Sequence, residues 1–254
     1  MKIGVILTGY GMLNYVDRCL EGWLRARNDH YGTHKIVICA VSVPFAGFPD
    51  ATDDGTVEEL HRAKRLGDID HMIDSPKHIP ETVARSMALQ WLKTQGVDYI
   101  WQVDLDEEYT LGDINAIARF VEADRWTVGW KLSLKNYVFD EQTYLAEPFQ
   151  PMRIHRIDSL SGCIADGFWA DNNVSYRGVT TDTLFRDTSF ACKTVPQQTA
   201  WIRHITWQSN TRSRDKIRYQ LEARGWPSCQ FAWDPVKGLI FNPALPAPRV
   251  LRDE

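Results

Sequence analysis

Residues 81–109 read ETVARSMALQWLKTQGVDYIWQVDLDEEY, and this stretch joins a helix, a strand and a cluster of carboxylates. Apolar residues at helical spacing predict a helix that begins after Pro80 and ends at Gly96. The apolar run 99–103 then predicts a buried strand. Four carboxylates follow it: Asp104, Asp106, Glu107 and Glu108. Because like charges this close repel one another, the cluster predicts a bound cation.

The segments on either side of this stretch repeat the alternation of strand and helix. Apolar runs predict strands at 3–7, 35–43 and 71–74, and helical spacing predicts helices at 13–24, 57–66 and 111–121. Such alternation is typical of an α/β domain with a mostly parallel central sheet flanked by helices. The second half predicts antiparallel strands at 127–139 and 150–157, and one helix at 214–224. We therefore expect a single domain, residues 1–254, with halves 1–125 and 126–254.

Composition narrows the class of protein. The net charge of −4 gives no general attraction to nucleic acids or anionic membranes. The five cysteines form no CxxC pair, so neither a structural zinc site nor a disulfide framework is expected. The first apolar run is too short for a signal peptide, and no run approaches the roughly 20 apolar residues of a membrane span. We expect a cytoplasmic protein with reduced thiols.

The pair Asp104 and Asp106 is the strongest chemical signal. With one residue between them, both carboxylates point the same way if the chain is still extended there. Oxygen ligands suit Mg²⁺ or Mn²⁺, so the pair predicts a divalent metal site at the end of a strand. The alternative is a solvated acidic loop, since so short a pattern also arises by accident.

The order of these motifs resembles that of family 2-type glycosyltransferases, which have the GT-A fold. Residues 84–86 stand where that family has "aRN", residues 96–100 match its "Gdyi", and residues 104–106 match its DxD motif. DDGTVEEL at 53–60 is similar to the family's "DDGStDgT", and the opening strand and helix are also similar. The resemblance covers about residues 1–125. Ser86 replaces the usual asparagine, and TGYG at 8–11 replaces the family's "tyNe".

The resemblance implies a nucleoside-diphosphate sugar as donor and a set of residues around it. It implies the base or ribose beside Thr8, Tyr10 and Asp50 or Asp53, the diphosphate beside Arg85, the ribose and metal at Asp104, and the metal at Asp106. The alternatives without a role in binding are a helix-surface ion pair for Arg85 and a turn-stabilising pair for Asp53 and Asp54.

Residues 201–207, WIRHITW, resemble a late segment of the same transferases. There a histidine completes the metal shell, and His204 is the position that fits; imidazole is acceptable to Mn²⁺ and less so to Mg²⁺. The basic residues around it suit a diphosphate leaving group: Arg203, Arg212, Arg214, Lys216 and Arg218. The alternative is a solvated helix face.

The expected reaction is a metal-dependent, inverting transfer of a sugar to an acceptor hydroxyl, which needs a general base. Asp182 is narrowly preferred over Asp171 as that base, and both are otherwise turn residues. A nucleotidyltransferase on a similar fold is one alternative, although TGYGMLN has no basic residue before Arg18. A non-catalytic nucleotide- or sugar-binding module is another. The acceptor is expected to be a saccharide, with a protein or a modified DNA base as alternatives.

Overall fold

The computed structural model describes residues 1–29, 34–44, 52–77, 79, 81–160, 169–170, 173–176, 179–180, 192–208, 211–218, 221–222 and 228–253. The helices are α1 Leu13–Arg27, α2 Thr56–Leu66, α3 Glu81–Thr94, α4 Leu111–Glu122 and α5 Thr211–Arg218, with a 3-10 turn at Ile157–Leu160. The predicted helices of the first half are all present. No helix in these described ranges combines the length and apolarity that a membrane crossing requires.

The strands are numbered in chain order, beginning with the first apolar run. They are β1 Lys2–Thr8, β2 Lys35–Ser42, β3 His71–Asp74, β4 Tyr99–Asp104, β5 Glu107–Glu108, β6 Gly129–Lys131, β7 Leu134–Phe139, β8 Thr143–Leu145, β9 Met152–Arg156, β10 Trp169–Ala170, β11 Asn173–Tyr176, β12 Val179–Thr180, β13 Cys192–Thr194, β14 Ile202–Gln208, β15 Phe231–Asp234, β16 Gly238–Phe241 and β17 Val250–Arg252.

A seven-stranded sheet in the order β13-β6-β9-β4-β1-β2-β3 forms the centre of the fold. Strand β1 pairs in parallel with β2 and β4, β2 pairs in parallel with β3, and β13 pairs in parallel with β6. Strand β9 is antiparallel to both of its neighbours, β4 and β6. Six strands therefore run one way and β9 the other. The α/β fold with a mostly parallel central sheet, predicted from the sequence, is confirmed.

Each face of the central sheet is covered by a separate apolar cluster. Side chains on a strand alternate between faces; thus Val5 and Leu7 belong to one cluster, whereas Ile6 belongs to the other. The larger cluster also holds Trp23 of α1 and Trp101 of β4, whose rings meet edge to face with centroids 4.9 Å apart. Residues of both halves of the chain contribute to this cluster.

Helix α1 packs very closely against the segment that follows the acidic cluster. A Cβ at Gly22 would lie 1.7 Å from the carbonyl oxygen of Tyr109, so only glycine allows this approach. The following helix, α4, begins with a reciprocal cap, in which Thr110 and Asp113 each accept a hydrogen bond from the other's backbone. The end of the acidic segment is thus fixed by α1 and by the cap of α4.

A second sheet of five strands, in the order β17-β8-β7-β14-β5, packs beside the first. The sequence predicted antiparallel pairing in the second half, and β8 is antiparallel to β7 and β17. Strand β14, however, is parallel to β7, and antiparallel to β5. The parallel pair is possible because a long stretch of chain separates β7 from β14, whereas a tight hairpin joins only antiparallel strands.

Candidate active site

The order in which the chain adds strands to the central sheet reverses at β1. Strands β2 and β3 extend the sheet on one side of β1, and the chain then returns to place β4 on the other side. Ligands of open α/β sheets bind outside the carboxyl ends of the strands at such a reversal. Thr8 and Asp104 are register partners there, and the Leu105 amide donates to the Thr8 carbonyl oxygen at 2.9 Å. Two residues predicted from the sequence therefore meet at the reversal of the sheet, where such folds bind ligands.

Asp104 lies between two buried guanidinium groups. Arg85 of α3 donates from Nη2 to Asp104 Oδ1 at 2.9 Å, and Arg153 of β9 donates from Nη2 to Asp104 Oδ2 at 2.7 Å. Burial alone would raise the pKa of Asp104, but Arg153 and Arg85 hold that pKa below its usual range. Arg85 is only 4% exposed, so its ion pair lies inside the protein and is not the helix-surface pair considered as the alternative.

Arg153 also neutralises part of the acidic cluster that the sequence left unexplained. Its Nη2 contacts Glu107 Oε1, and Glu107 Oε2 accepts a hydrogen bond from the Tyr109 hydroxyl at 2.8 Å. Glu107 is fully buried, and burial raises its pKa to about 7 despite the nearby Arg153. The low dielectric of the interior penalises the charged carboxylate more than one shared guanidinium favours it.

Arg153 was not predicted as a site residue, although the sequence carries a signal for it. Arg153 and His155 alternate with the apolar Met152 and Ile154, so these two polar side chains share one face of the strand. The ring of His155 lies in hydrogen-bond contact with Gln102 on β4, at 2.9 Å. Burial and Arg153 lower the pKa of His155 to about 3, so this histidine is neutral. His155 is thus a buried, neutral partner of Gln102.

Strand β14 brings His204 to Asp106. The backbone of β14 pairs with β5, and the Ile205 amide donates to the Asp106 carbonyl oxygen at 3.0 Å. As a result His204 Nε2 lies 3.4 Å from Asp106 Oδ2. Burial, followed by the nearby Lys216, lowers the pKa of His204, which favours the neutral ring. Lys216 of α5 places its Nζ 3.7 Å from the same Asp106 oxygen.

Glu108, the last of the four carboxylates, also has cationic partners. Arg203 Nε donates to Glu108 Oε2 at 3.0 Å, and Arg18 of α1 contacts Glu108 Oε1. The four carboxylates are therefore surrounded by five basic side chains: Arg18, Arg85, Arg153, Arg203 and Lys216. The repulsion from which the sequence predicted a cation is offset by the protein's own side chains.

The structure leaves the predicted divalent metal without direct support. Among the described residues, no group of three or more His, Cys, Asp or Glu side chains is arranged to hold a metal ion. Asp106 and His204 converge, but both oxygens of Asp104 accept from arginine. Mn²⁺ or Mg²⁺ at Asp104, Asp106 and His204 stays a prediction from the sequence.

Tyr10 and Asp53 lie together near the end of β1. Burial, and then the charge of Asp53, raise the pKa of Tyr10. Asp53 Oδ1 accepts from the Val57 amide at 3.2 Å, and Asp54 Oδ1 accepts from the Thr56 amide at 3.2 Å. Both carboxylates therefore stabilise the start of α2, as the turn-stabilising alternative required. Binding of a donor by Tyr10 and Asp53 stays a prediction.

Several predicted residues lie outside the described part of the chain. They are Asp50, Asp171, Asp182 and the side chain of Arg212. Of the remaining basic residues near His204, Arg214 is exposed, and Arg218 pairs with Glu222 at 2.9 Å on the helix surface. The predicted basic patch thus divides: Lys216 and Arg203 reach the acidic cluster, and Arg218 belongs to a solvated helix face.

The fold is similar to that of solved structures. S. aureus TarS 1–349 in complex with UDP-GlcNAc aligns with a TM-score of 0.54 at 14% identity over 84% of this chain, and its complex with UDP with a TM-score of 0.51 at 14% identity over 81%. A 4-diphosphocytidyl-2C-methyl-D-erythritol synthase from Anaerococcus prevotii aligns with a TM-score of 0.48 at 10% identity, over 76% of this chain and 87% of that one. No protein-family model and no curated protein matches the sequence.

At these identities the similarity to TarS establishes the fold alone. The chain has a GT-A-like α/β fold, with a mostly parallel central sheet flanked by helices. It spans about three fifths of TarS 1–349, since the alignments cover 61% and 60% of that chain.

Proposed function

We propose that this protein is a glycosyltransferase that takes a sugar from a nucleoside-diphosphate sugar and transfers it to an acceptor hydroxyl. The observation that carries the proposal is the pairing of Thr8 with Asp104 at the reversal of the central sheet, with the buried Arg85 guanidinium on Asp104. A crevice at such a reversal, with fixed cations beside it, suits a nucleotide diphosphate.

Two further observations support the proposal. The sequence order of Arg85, Asp104, Asp106 and His204 resembles that of family 2-type glycosyltransferases, and the structure places His204 against Asp106. TarS 1–349, whose fold is similar, has been solved with UDP-GlcNAc and with UDP. A uridine-diphosphate sugar is therefore the first donor to test.

The proposed chemistry assigns each group a simple role. The acceptor oxygen forms a bond to the anomeric carbon, the bond from that carbon to the diphosphate oxygen breaks, and the electron pair leaves with the nucleoside diphosphate. The acceptor proton passes to a carboxylate base, for which Asp182 is preferred over Asp171. Arg85, held in place by Asp104, lies buried behind that carboxylate and adds fixed positive charge that stabilises the growing negative charge of the diphosphate. Asp104 is 28% exposed at its side chain, which leaves it accessible to a donor hydroxyl.

Release of nucleoside diphosphate from a panel of nucleotide sugars, with saccharide acceptors present, tests this proposal. The wild-type protein should release UDP from at least one UDP-sugar, and Asp104→Asn should slow that release roughly 100-fold, because it removes the charge that orients Arg85. Asp98→Asn is the matched control: Asp98 precedes the amino end of the same strand and accepts from the Lys2 amide, far from the crevice. Asp98→Asn should keep wild-type rates.

Other outcomes would overturn the proposal. Pyrophosphate release from a nucleoside triphosphate and a sugar phosphate would identify a nucleotidyltransferase. Tight binding of nucleotide sugars without turnover, for any acceptor class, would identify a binding module. The protein would not use a nucleotide sugar if it neither bound nor turned over uridine, guanosine, cytidine, thymidine or adenosine donors.

A further inference from the structure

The ammonium group of Lys216 lies where the sequence predicted a metal ion. Its Nζ is 3.5 Å from His204 Nε2 and 3.7 Å from Asp106 Oδ2. The same ammonium lies over the ring of Trp207, 5.1 Å from the ring centroid. Helix α5 follows β14 closely in the chain, so the strand that carries His204 and Trp207 also fixes the helix that carries Lys216. The lysine is thus placed by local connections.

Lys216 faces a buried carboxylate and a buried imidazole. Asp106 is 3% exposed and His204 is 6% exposed, and His204 Nε2 lies 3.4 Å from Asp106 Oδ2. On its other side, His204 Nδ1 contacts Asn136 Oδ1. A buried carboxylate needs a cation or a hydrogen-bond donor beside it. The Lys216 ammonium, with three N–H donors, meets that need for Asp106.

The described side chains do not fit a divalent metal as they stand. Mg²⁺ at a nucleotide site is held by one or two free carboxylates, with waters and phosphate oxygens completing about six ligands at about 2.1 Å. Among the described side chains, both oxygens of Asp104 accept from Arg85 and Arg153, and the Lys216 ammonium occupies the point where Asp106 and His204 converge. A metal at this point would have to displace Lys216 against charge repulsion.

We propose that Lys216 supplies the positive charge that binds the donor's diphosphate, in place of a metal ion. This inference rests on the proposed glycosyltransferase function. The side chain of Lys216 is 23% exposed, so its ammonium can donate to a diphosphate oxygen while Asp106 and His204 hold it from behind. When the bond from the anomeric carbon to the diphosphate breaks, the electron pair remains on the terminal phosphate oxygen, and Lys216 stabilises that oxygen by hydrogen bonding without losing a proton.

Calorimetric titration of UDP into the protein of residues 1–254 tests the inference, with EDTA in one arm and Mn²⁺ in the other. The wild-type protein should bind UDP with the same affinity in both arms and should release UDP from a UDP-sugar in EDTA. Lys216→Met, which keeps the length of the side chain and removes its charge, should weaken binding in EDTA by about ten- to a hundredfold, the loss of one charge-assisted hydrogen bond.

Two control variants make the result specific. Lys193→Met removes a half-exposed lysine that pairs with Asp124 away from the crevice, and it should leave UDP binding unchanged. Lys216→Arg keeps the charge and should retain most of the affinity. Melting temperatures of all variants check folding, and the wild-type comparison of EDTA with Mn²⁺ does not depend on any variant.

The possible failures are distinguishable. Wild-type UDP binding or turnover that requires Mn²⁺ would overturn the role of Lys216 and leave the glycosyltransferase proposal intact. Undiminished UDP binding by Lys216→Met in EDTA would do the same. A wild-type protein that neither binds UDP nor turns over a nucleotide sugar, in either arm, would instead contradict the proposed function itself.

Discussion

Replacement of Glu107 by glutamine should stabilise the protein at neutral pH. Glu107 is fully buried, and burial raises its pKa from 4.5 to about 7. Between these two values the folded chain holds a proton that the unfolded chain has released. Because the folded state binds more protons in this window, the free energy of unfolding falls as the pH rises from about 4.5 to about 7.

The magnitude follows from that window. Each pH unit of unequal protonation changes the free energy of unfolding by about 1.4 kcal/mol. Across the window the wild-type protein therefore loses roughly 3 kcal/mol of stability through Glu107 alone, and between pH 5 and pH 7.5 it loses about 2 kcal/mol. Glutamine cannot ionise, yet its amide can accept from Arg153 and donate to the Tyr109 hydroxyl oxygen. The free energy of unfolding of Glu107→Gln should therefore not fall with pH through this residue.

Urea denaturation at several pH values between 5 and 7.5 measures the effect. The difference in free energy of unfolding between Glu107→Gln and wild type should grow in favour of the variant by about 2 kcal/mol over that range. Glu147→Gln, at an exposed glutamate outside the cluster, controls for the loss of one carboxylate. A difference that stays constant with pH would refute the reasoning, since Glu107 would then ionise alike in both states.

Further variants test the packing around the acidic cluster. Gly22→Ala should lower the free energy of unfolding by about 3 kcal/mol or more, since its Cβ would lie 1.7 Å from the Tyr109 carbonyl oxygen. In contrast, Gly112→Ala should raise the free energy of unfolding by about 0.5–1 kcal/mol, because the nearest atom to a Cβ in that helical position is 3.6 Å away. Urea denaturation measures both variants, and equal effects of Gly22→Ala and Gly112→Ala would contradict the close packing at Gly22. Arg153→Met should cost about 3–5 kcal/mol by the same assay, because it leaves buried Glu107 without its guanidinium, and a cost below 1 kcal/mol would show that the pair contributes little.

The fold could be predicted from the sequence because its elements are marked locally. Strands buried on both faces are continuous apolar runs, and each helix between them has an apolar stripe of its own. The predicted strand 71–74 has the bounds of β3, and the helix predicted at 57–66 begins one residue earlier, at Thr56. The two-residue strand β5 was missed, because a pair of glutamates carries no strand pattern and forms a strand only beside β14.

The site could be predicted only in part. Thr8 and Asp104 end two strands that the sequence already marks, so strand order alone brings them together. The contact of Arg153 with Asp104 depends on β9 lying next to β4 in reverse direction, and no local pattern specifies that neighbour. Lys216 was recognised as basic, but its place beside Asp106 depends on the pairing of β14 with β5.

The distribution of charge along the chain explains why the acidic cluster looks uncompensated in the local sequence. All four carboxylates lie in the first half, whereas Arg153, Arg203 and Lys216 come from the second half. Among the described residues of the first half, Arg18 and Arg85 alone pair with the cluster, and the remaining excess of negative charge is what predicts a cation from the local sequence. The second half supplies the missing positive charge through β9, β14 and α5. The site therefore acquires its electrostatic character only when the two halves pack together, because three of the basic side chains that offset the charge of residues 98–110 lie more than 40 residues away in sequence.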